Sequence, residues 1–237
     1  MSSLPALDCR ELTVRFGTTT ALDRLDLEIH AGEVTALVGP NGAGKTTTLR
    51  AAAGLLRPKE GTIRVFDQDP VRHPTAARRL LALLPDHPAL PPELTVLELL
   101  RLRTALYGHR RAPAGHALEQ VCDELNVSHL LQRRCGALSH GQAQRTALAA
   151  ILLPEPRLIM VDEPMTALDL EGQHVVRQAL ASRADQGAAV LMTTHTVAHV
   201  AELAHRVLRL LDGRISAERP GTREVQELER WILADSC

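Results

Sequence analysis

Eight consecutive residues, Gly39-Pro40-Asn41-Gly42-Ala43-Gly44-Lys45-Thr46, have the types and spacing needed to grip the phosphates of a nucleotide. Gly39, Gly42 and Gly44 let the backbone bend close to a ligand and aim successive N–H groups at phosphate oxygens. Lys45 can reach the β- and γ-phosphates, and the Thr46 hydroxyl can hold Mg²⁺. Further on, the apolar run Leu158-Ile159-Met160-Val161 ends in two carboxylates, Asp162 and Glu163. A strand that delivers an acid beside a phosphate loop can orient Mg²⁺ through water, and a second acid one residue on can polarise an attacking water. Nucleotide binding, with hydrolysis as the chemistry on offer, is what these groups imply.

The groups need elements to hold them. The run Val34-Thr35-Ala36-Leu37-Val38 reads as a buried strand, and the run from Thr47 to Ala53 reads as a helix whose positive end lies beneath the same anion. Glu11 to Phe16, Leu25 to Ile29 and Thr62 to Phe66 alternate as strands do, which predicts a small, mostly antiparallel sheet beside the phosphate-loop strand. From about residue 86 to 137 the pattern turns helical, with one helix opening at Thr95 behind a proline pair, so this stretch reads as an inserted helical lobe. The strand-like runs Leu158 to Val161 and Ala188 to Met192 each follow a helix, as in an α/β layer with a parallel sheet. Asp212-Gly213 between two short apolar runs predicts a hairpin. The tail from Arg223 reads as an amphipathic helix, with Val225, Leu228 and Ile232 expected to pack on their own domain.

Composition narrows the function classes. The 237 residues, 45% hydrophobic, suffice for one large core with a smaller lobe. A net charge of −1 gives no general attraction to nucleic acid or anionic lipid, and 2% aromatic residues leave few platforms for stacking bases. Cys9, Cys122, Cys135 and Cys237 lack metal-ligand spacing and fit a reducing compartment. The opening residues lack the basic start and apolar run of a secretory signal, and no stretch reaches the ~20 apolar residues of a membrane span. Any membrane role is expected to come through a partner.

Between the loop and the acidic strand lies Leu138-Ser139-His140-Gly141-Gln142, with a long helix expected to start at Gln142. With these motifs in this order, the chain resembles the ATP-binding subunits of ATP-binding-cassette (ABC) transporters, whose hallmark pentapeptide is Leu-Ser-Gly-Gly-Gln. The likeness runs from about Leu12 to Gly213. It implies a P-loop NTPase core with a mostly parallel sheet, an N-terminal antiparallel β subdomain, an inserted α-helical subdomain over about 86–137, and a C-terminal strand and helix over about 214–237. It implies that the loop from Gly39 through Thr47 (Pro40, Asn41 and Ala43 included) holds ATP, with Phe16 stacking on adenine. Asp162 resembles the metal-orienting acid, Glu163 the catalytic base, and His195 the histidine that contacts the γ-phosphate. Ala167-Leu168-Asp169 is similar to the family's dimer-contact loop. Ser139, Gly141 and Gln142 would serve ATP held by a second subunit, identical or homologous, since two such domains close head to tail in this family. Integral membrane permease subunits, an inner-face cytoplasmic location and no nucleic-acid partner follow from the same resemblance. The stretch Pro92 to Leu100 with Ala105 to Gly108 looks most like single-domain subunits of bacterial exporters.

Two positions depart from the family's pattern. Asp86 stands where Gln is usual, and is expected to touch Mg²⁺ and link it to the helical lobe. His140 replaces the first Gly of the pentapeptide, its ring expected to point away from phosphate. Two other readings accompany the transporter ATPase: a soluble ABC ATPase acting on ribosomes or DNA, and a nucleotide-gated scaffold with weak hydrolysis. The pair His195 and His199 has a spacing that on a helix could bind metal, but no third ligand is evident.

Overall fold

The strand before the phosphate loop and its neighbour of sequence AVLMT are mostly apolar and buried at every position, as suits strands covered on both faces. The computed structural model describes residues 4–107, 115–166 and 168–234. The chain opens with β1 (Leu7–Phe16) and β2 (Thr19–Ile29), then β3 (Val34–Val38), the phosphate loop, α1 (Lys45–Ala52), β4 (Glu60–Val65), α2 (Pro74–Arg78) and β5 (Leu81–Leu84). Next come α3 (Val96–Leu106), α4 (Gly115–Glu124), 3₁₀ turns at Ser128–Leu130 and Cys135–Ala137, and α5 (His140–Leu152). The remainder is β6 (Leu158–Asp162), α6 (Leu170–Asp185), β7 (Ala189–Thr193), α7 (Val197–Leu203), β8 (Arg206–Leu211), β9 (Arg214–Pro220) and α8 (Val225–Leu233).

Among the described residues the strands form two sheets, a three-stranded antiparallel one ordered β2-β1-β4 and a six-stranded one ordered β5-β6-β7-β3-β8-β9. The larger sheet is parallel except for β9, which pairs antiparallel with β8. Alternation along the parallel strands splits the core in two. Ala36, Val38, Ile159, Val161, Val190 and Met192 face α5 and α6, whereas Leu37, Leu158, Met160 and Leu191 face α1 and the antiparallel sheet. The chain is thus an α/β fold whose phosphate-loop strand lies inside the larger sheet, flanked by β7 and β8.

Local chemistry sets the element ends. Thr95 caps α3 by accepting from the Glu98 N–H, while the Glu98 carboxylate accepts from the Thr95 N–H, a reciprocal capping box. Ser139 and Gln142 repeat that arrangement at α5. Because Gln142 serves as the third residue of the helix, α5 starts at His140 and not at Gln142 as expected. Likewise β4 stops at Val65, since Phe66 turns the chain with φ +44°. The hairpin at Asp212-Gly213 holds both residues at positive φ, as a two-residue primed turn needs.

The described residues of 86–137 carry α3, α4 and the two 3₁₀ turns, and Arg145 of α5 donates to the carbonyls of Leu125 and Asn126 there. Gly108 lies outside the described residues. At the other end, Leu228 of α8 is fully buried, and Val225, Trp231 and Ile232 pack against the same core. Cys9, Cys122 and Cys135 are buried and unpaired, and Cys237 falls outside the described residues. Among the described residues no helix is long and apolar enough to cross a membrane.

Candidate active site

Parallel strands deliver their C-terminal ends to one edge of a sheet, where ligands of open α/β folds bind. Across that edge Thr193 at the end of β7 is in register with Leu37 of β3 on one side and Asp162 of β6 on the other. Thr193 therefore stands between the phosphate loop and the acid pair. Its hydroxyl donates to Asp162 Oδ1, and the Thr46 hydroxyl donates to Asp162 Oδ2 at 2.7 Å. Asp162 is only 6% exposed, so these two bonds fix its carboxylate.

Glycines shape the loop itself. Gly44 sits at φ +109°, and a Cβ there would lie 2.6 Å from the Ala21 carbonyl oxygen and 2.8 Å from Leu22. Gly42, at φ +83°, faces open space on the ligand side. Lys45 folds back over the loop, its Nζ donating to the carbonyls of Gly39 at 2.7 Å and Pro40 at 3.0 Å. Partial burial pushes its pKa below the ordinary lysine value, and the nearby charges of Glu163 and Asp162 pull it partly back.

Glu163 holds a left-handed backbone, φ +48°, which is rare for a residue with a Cβ. Its N–H donates to the Thr193 carbonyl at 3.0 Å. One carboxylate oxygen lies 2.7 Å from His195 Nδ1, and the other accepts from the Thr166 hydroxyl at 3.1 Å. An ionised carboxylate only accepts, so the pairing makes Nδ1 the protonated ring nitrogen of His195. Such backbone strain is held where surrounding bonds over-determine it.

A cavity of about 390 Å³ joins these groups, lined by Asn41, Gly42, Gly44, Lys45, Thr46 and Thr47 on the loop side and by Asp86, Asp162, Glu163 and His195 opposite. Ala21 and Thr166 line it too. Neither they nor Thr193 figures in the sequence motifs; only Thr193, at the end of an apolar run, carried a positional signal. Gly39 and Pro40 line an adjoining cavity with Ile232 and Leu233 of α8, and Ala43 is buried behind the loop. Other expected residues lie elsewhere. Phe16 is 51% exposed at the tip of the β1–β2 hairpin, away from the cavity wall. Ser139, Gly141 and Gln142 begin α5 and do not line the cavity. Leu168 is buried in its own core, Asp169 caps α6 by accepting from the Gly172 N–H, and Ala167 lies outside the described residues. His195 precedes α7 whereas His199 is buried within it, so the two share no helix face.

Strand, phosphate loop and helix, with an acid pair delivered two strands away, define a nucleoside-triphosphatase site. Residues 22–166 match the ABC transporter family. The SkfA peptide export ATP-binding protein SkfE of Bacillus subtilis is 34% identical over 194 residues, which cover 82% of this chain and 80% of that one. The molybdenum import ATP-binding protein ModC of Mycobacterium tuberculosis is 40% identical over 210 residues, covering 83% of this chain and 57% of its own length. Among solved structures, an ATP-binding subunit of an ABC transporter superposes with a TM-score of 0.89 at 28% identity, over 96% of this chain and 99% of that one. A dimeric cassette in a post-hydrolysis state with ADP and Pi gives 0.80 at 26% identity, over 90% and 98%. The chain belongs to the ATP-binding subunits of ABC transporters, and like them is an ATPase.

Proposed function

We propose that this chain powers an exporter. It pairs head to tail with a second cassette, identical or homologous, around two ATP molecules, and the closing and reopening of the pair drives integral membrane permease subunits from the cytoplasmic face. Export is favoured over import by the exporter-like stretch Pro92 to Leu100 with Ala105 to Gly108. The observation that carries the reading is the Glu163 carboxylate, held in the cavity wall between His195 and Thr166.

The chemistry follows from the groups. An incoming triphosphate offers Lys45 a stronger partner than the two loop carbonyls it holds, so the ammonium turns onto the β- and γ-phosphates. Glu163 takes the proton of a water in line with the γ-phosphate, and His195, turning its Nδ1–H from that carboxylate toward the bound nucleotide, donates to the charge that develops. Hard oxygen ligands suit Mg²⁺, and Thr46, Asp162 and Asp86 bring such oxygens to one cavity. Among the described residues no three acidic, Cys or His side chains form a metal site alone, so these residues would hold the ion together with the nucleotide's own oxygens. When bound, it supplies neutralisation of the phosphate charge. The exposed Phe16 ring would stack on the adenine, and Ser139, Gly141 and Gln142, outside their own cavity, are left to serve the partner's ATP. The paired Glu163 and His195 support hydrolysis over a weakly hydrolysing scaffold.

The test is dimerisation of the full chain carrying Glu163→Gln, measured by size exclusion with and without ATP. Trapped ATP should convert it to a stable dimer. A monomer at saturating ATP and Mg²⁺ would sink the head-to-tail reading.

A further inference from the structure

The two positions that depart from the family's pattern, Asp86 and His140, are joined by a third residue, His87. Its Nε2 lies 3.7 Å from Asp86 Oδ2, within ion-pair distance. Its ring meets that of His140 edge to face, with centroids 5.9 Å apart and planes at 77°. That is the geometry aromatic pairs prefer. Asp86 lines the ATP cavity, whereas His140 is the first residue of α5, directly after Ser139.

Nothing in folding demands this contact. The His87 side chain is 81% exposed, so the contact contributes little to the core. Its backbone, however, is confined. Pro85 and Pro88 bracket Asp86-His87, and a residue before proline is held to extended conformations. The backbone that carries the ring is thus restricted, and the ring stands between Asp86 and His140. At α5 the capping box ties Ser139 to Gln142, so the first turn moves as one piece.

We propose that His87 is a positioning residue that couples a chain's own ATP site, through Asp86, to the Ser139 end of α5 that closes over the partner's ATP, by way of His140. This rests on the head-to-tail dimer proposed above. ATP held at the loop draws Asp86 to its working position, and the His87–His140 contact sets the first turn of α5 to match. One site's occupancy thus prepares the surface that the other site needs.

The experiment uses the full chain in the Glu163→Gln background, adding His87→Ala, His140→Ala, both together, and His87→Phe. Two quantities are measured: the affinity of the monomer for a fluorescent ATP analogue with Mg²⁺, and the protein concentration at half-dimerisation in ATP. Monomer affinity should stay unchanged in all four. Each alanine variant should raise the half-dimerisation concentration about two- to tenfold, the range expected for losing one such ring pair. The double variant should be no worse than either single, because both break one path. His87→Phe keeps the ring but loses the nitrogen facing Asp86, and should behave like His87→Ala. Multiplying single effects, unchanged dimerisation, or an equal loss of monomer affinity overturns the coupling while leaving the dimer standing. A parent that stays monomeric in ATP overturns the dimer reading and the coupling with it.

Discussion

The phosphate-loop edge of the sheet and the Ser139 end of α5 carry the same family signature but are built in opposite ways. At the loop, each working side chain already has partners in its own chain: Lys45 on two carbonyls, Asp162 on two hydroxyls, and Glu163 on His195 and Thr166. At α5, among the described residues, the side chains of Ser139 and Gln142 bond only to each other's backbone N–H. The hydroxyl that accepts from the Gln142 N–H still has its own proton to donate. One site is preorganised for chemistry. The other is a capped helix end with an exposed hydroxyl, and in the proposed dimer it acquires a task only when a second molecule arrives.

The sharpest way to break this contrast is to alter the loop side and look for loss of chemistry without loss of binding. Glu163→Gln removes the base but keeps size and shape, so steady-state ATP turnover should fall by roughly 10²- to 10⁴-fold. Nucleotide affinity, measured separately, should stay within a few-fold. If turnover survived, the carboxylate would not be the base. Next in size is Gly44→Ala. A Cβ 2.6 Å from the Ala21 carbonyl oxygen, at φ +109°, forces the backbone to move. The expected loss is about 1–3 kcal/mol in urea unfolding together with weakened ATP binding. Gly42→Ala meets no protein atom but is strained by φ +83°, so it should cost less stability than Gly44→Ala and still lose affinity.

How much of this was legible in the sequence follows the same divide. The loop, Asp162, Glu163 and the flanking strands were readable because phosphate contact, strand burial and acid placement all depend on local spacing. The strands over 34–38, 158–161 and 189–192 were readable as mostly apolar runs, and the β8–β9 turn from Asp212-Gly213. What escaped depends on register between distant segments. Thr193 bridges the loop and the acid only because β7 lies between β3 and β6, an order that spacing does not encode. Ala21 reaches the cavity from the other sheet, and Thr166 through a turn after Glu163. Leu168, in the loop expected to contact a partner, is 8% exposed and packs in the core of its own chain, a burial its place in that loop did not signal. The α5 start was misplaced by two residues since the capping box recruits Gln142 into the first turn.

The two capping boxes offer a matched pair for the partner side. Thr95→Ala and Ser139→Ala each remove a hydroxyl that accepts from the third helical N–H, and each should lower stability by about 1 kcal/mol. Only Ser139→Ala should also weaken ATP-driven dimerisation and turnover, by on the order of tenfold for a charge-assisted hydrogen bond lost to phosphate. Equal effects of the two on turnover would mean that Ser139 is merely a cap.

The smallest expected effect lies in His199, which packs 7% exposed on α7 just behind His195. Burial lowers its pKa below the ordinary value of 6.5, outweighing the opposing charges of Glu202 and Glu163, with Arg177 and His195 acting in the same direction as burial. The folded state therefore disfavours the proton that the unfolded chain accepts, so stability from this residue is present above about pH 6.5 and declines as pH falls below it. Urea midpoints without nucleotide should be flat from pH 8 to about 6.5 and drop below that, by an amount that shrinks in His199→Gln. The comparison bears on the two faces, because α7 follows His195 directly. A loosened α7 should disturb the Glu163–His195 pair before it touches α5. Turnover should then fall at mildly acid pH while the half-dimerisation concentration of the Glu163→Gln chain holds steady. If both fell together, the loop edge and the Ser139 end would be responding as one unit, and the division drawn between them would have to be given up.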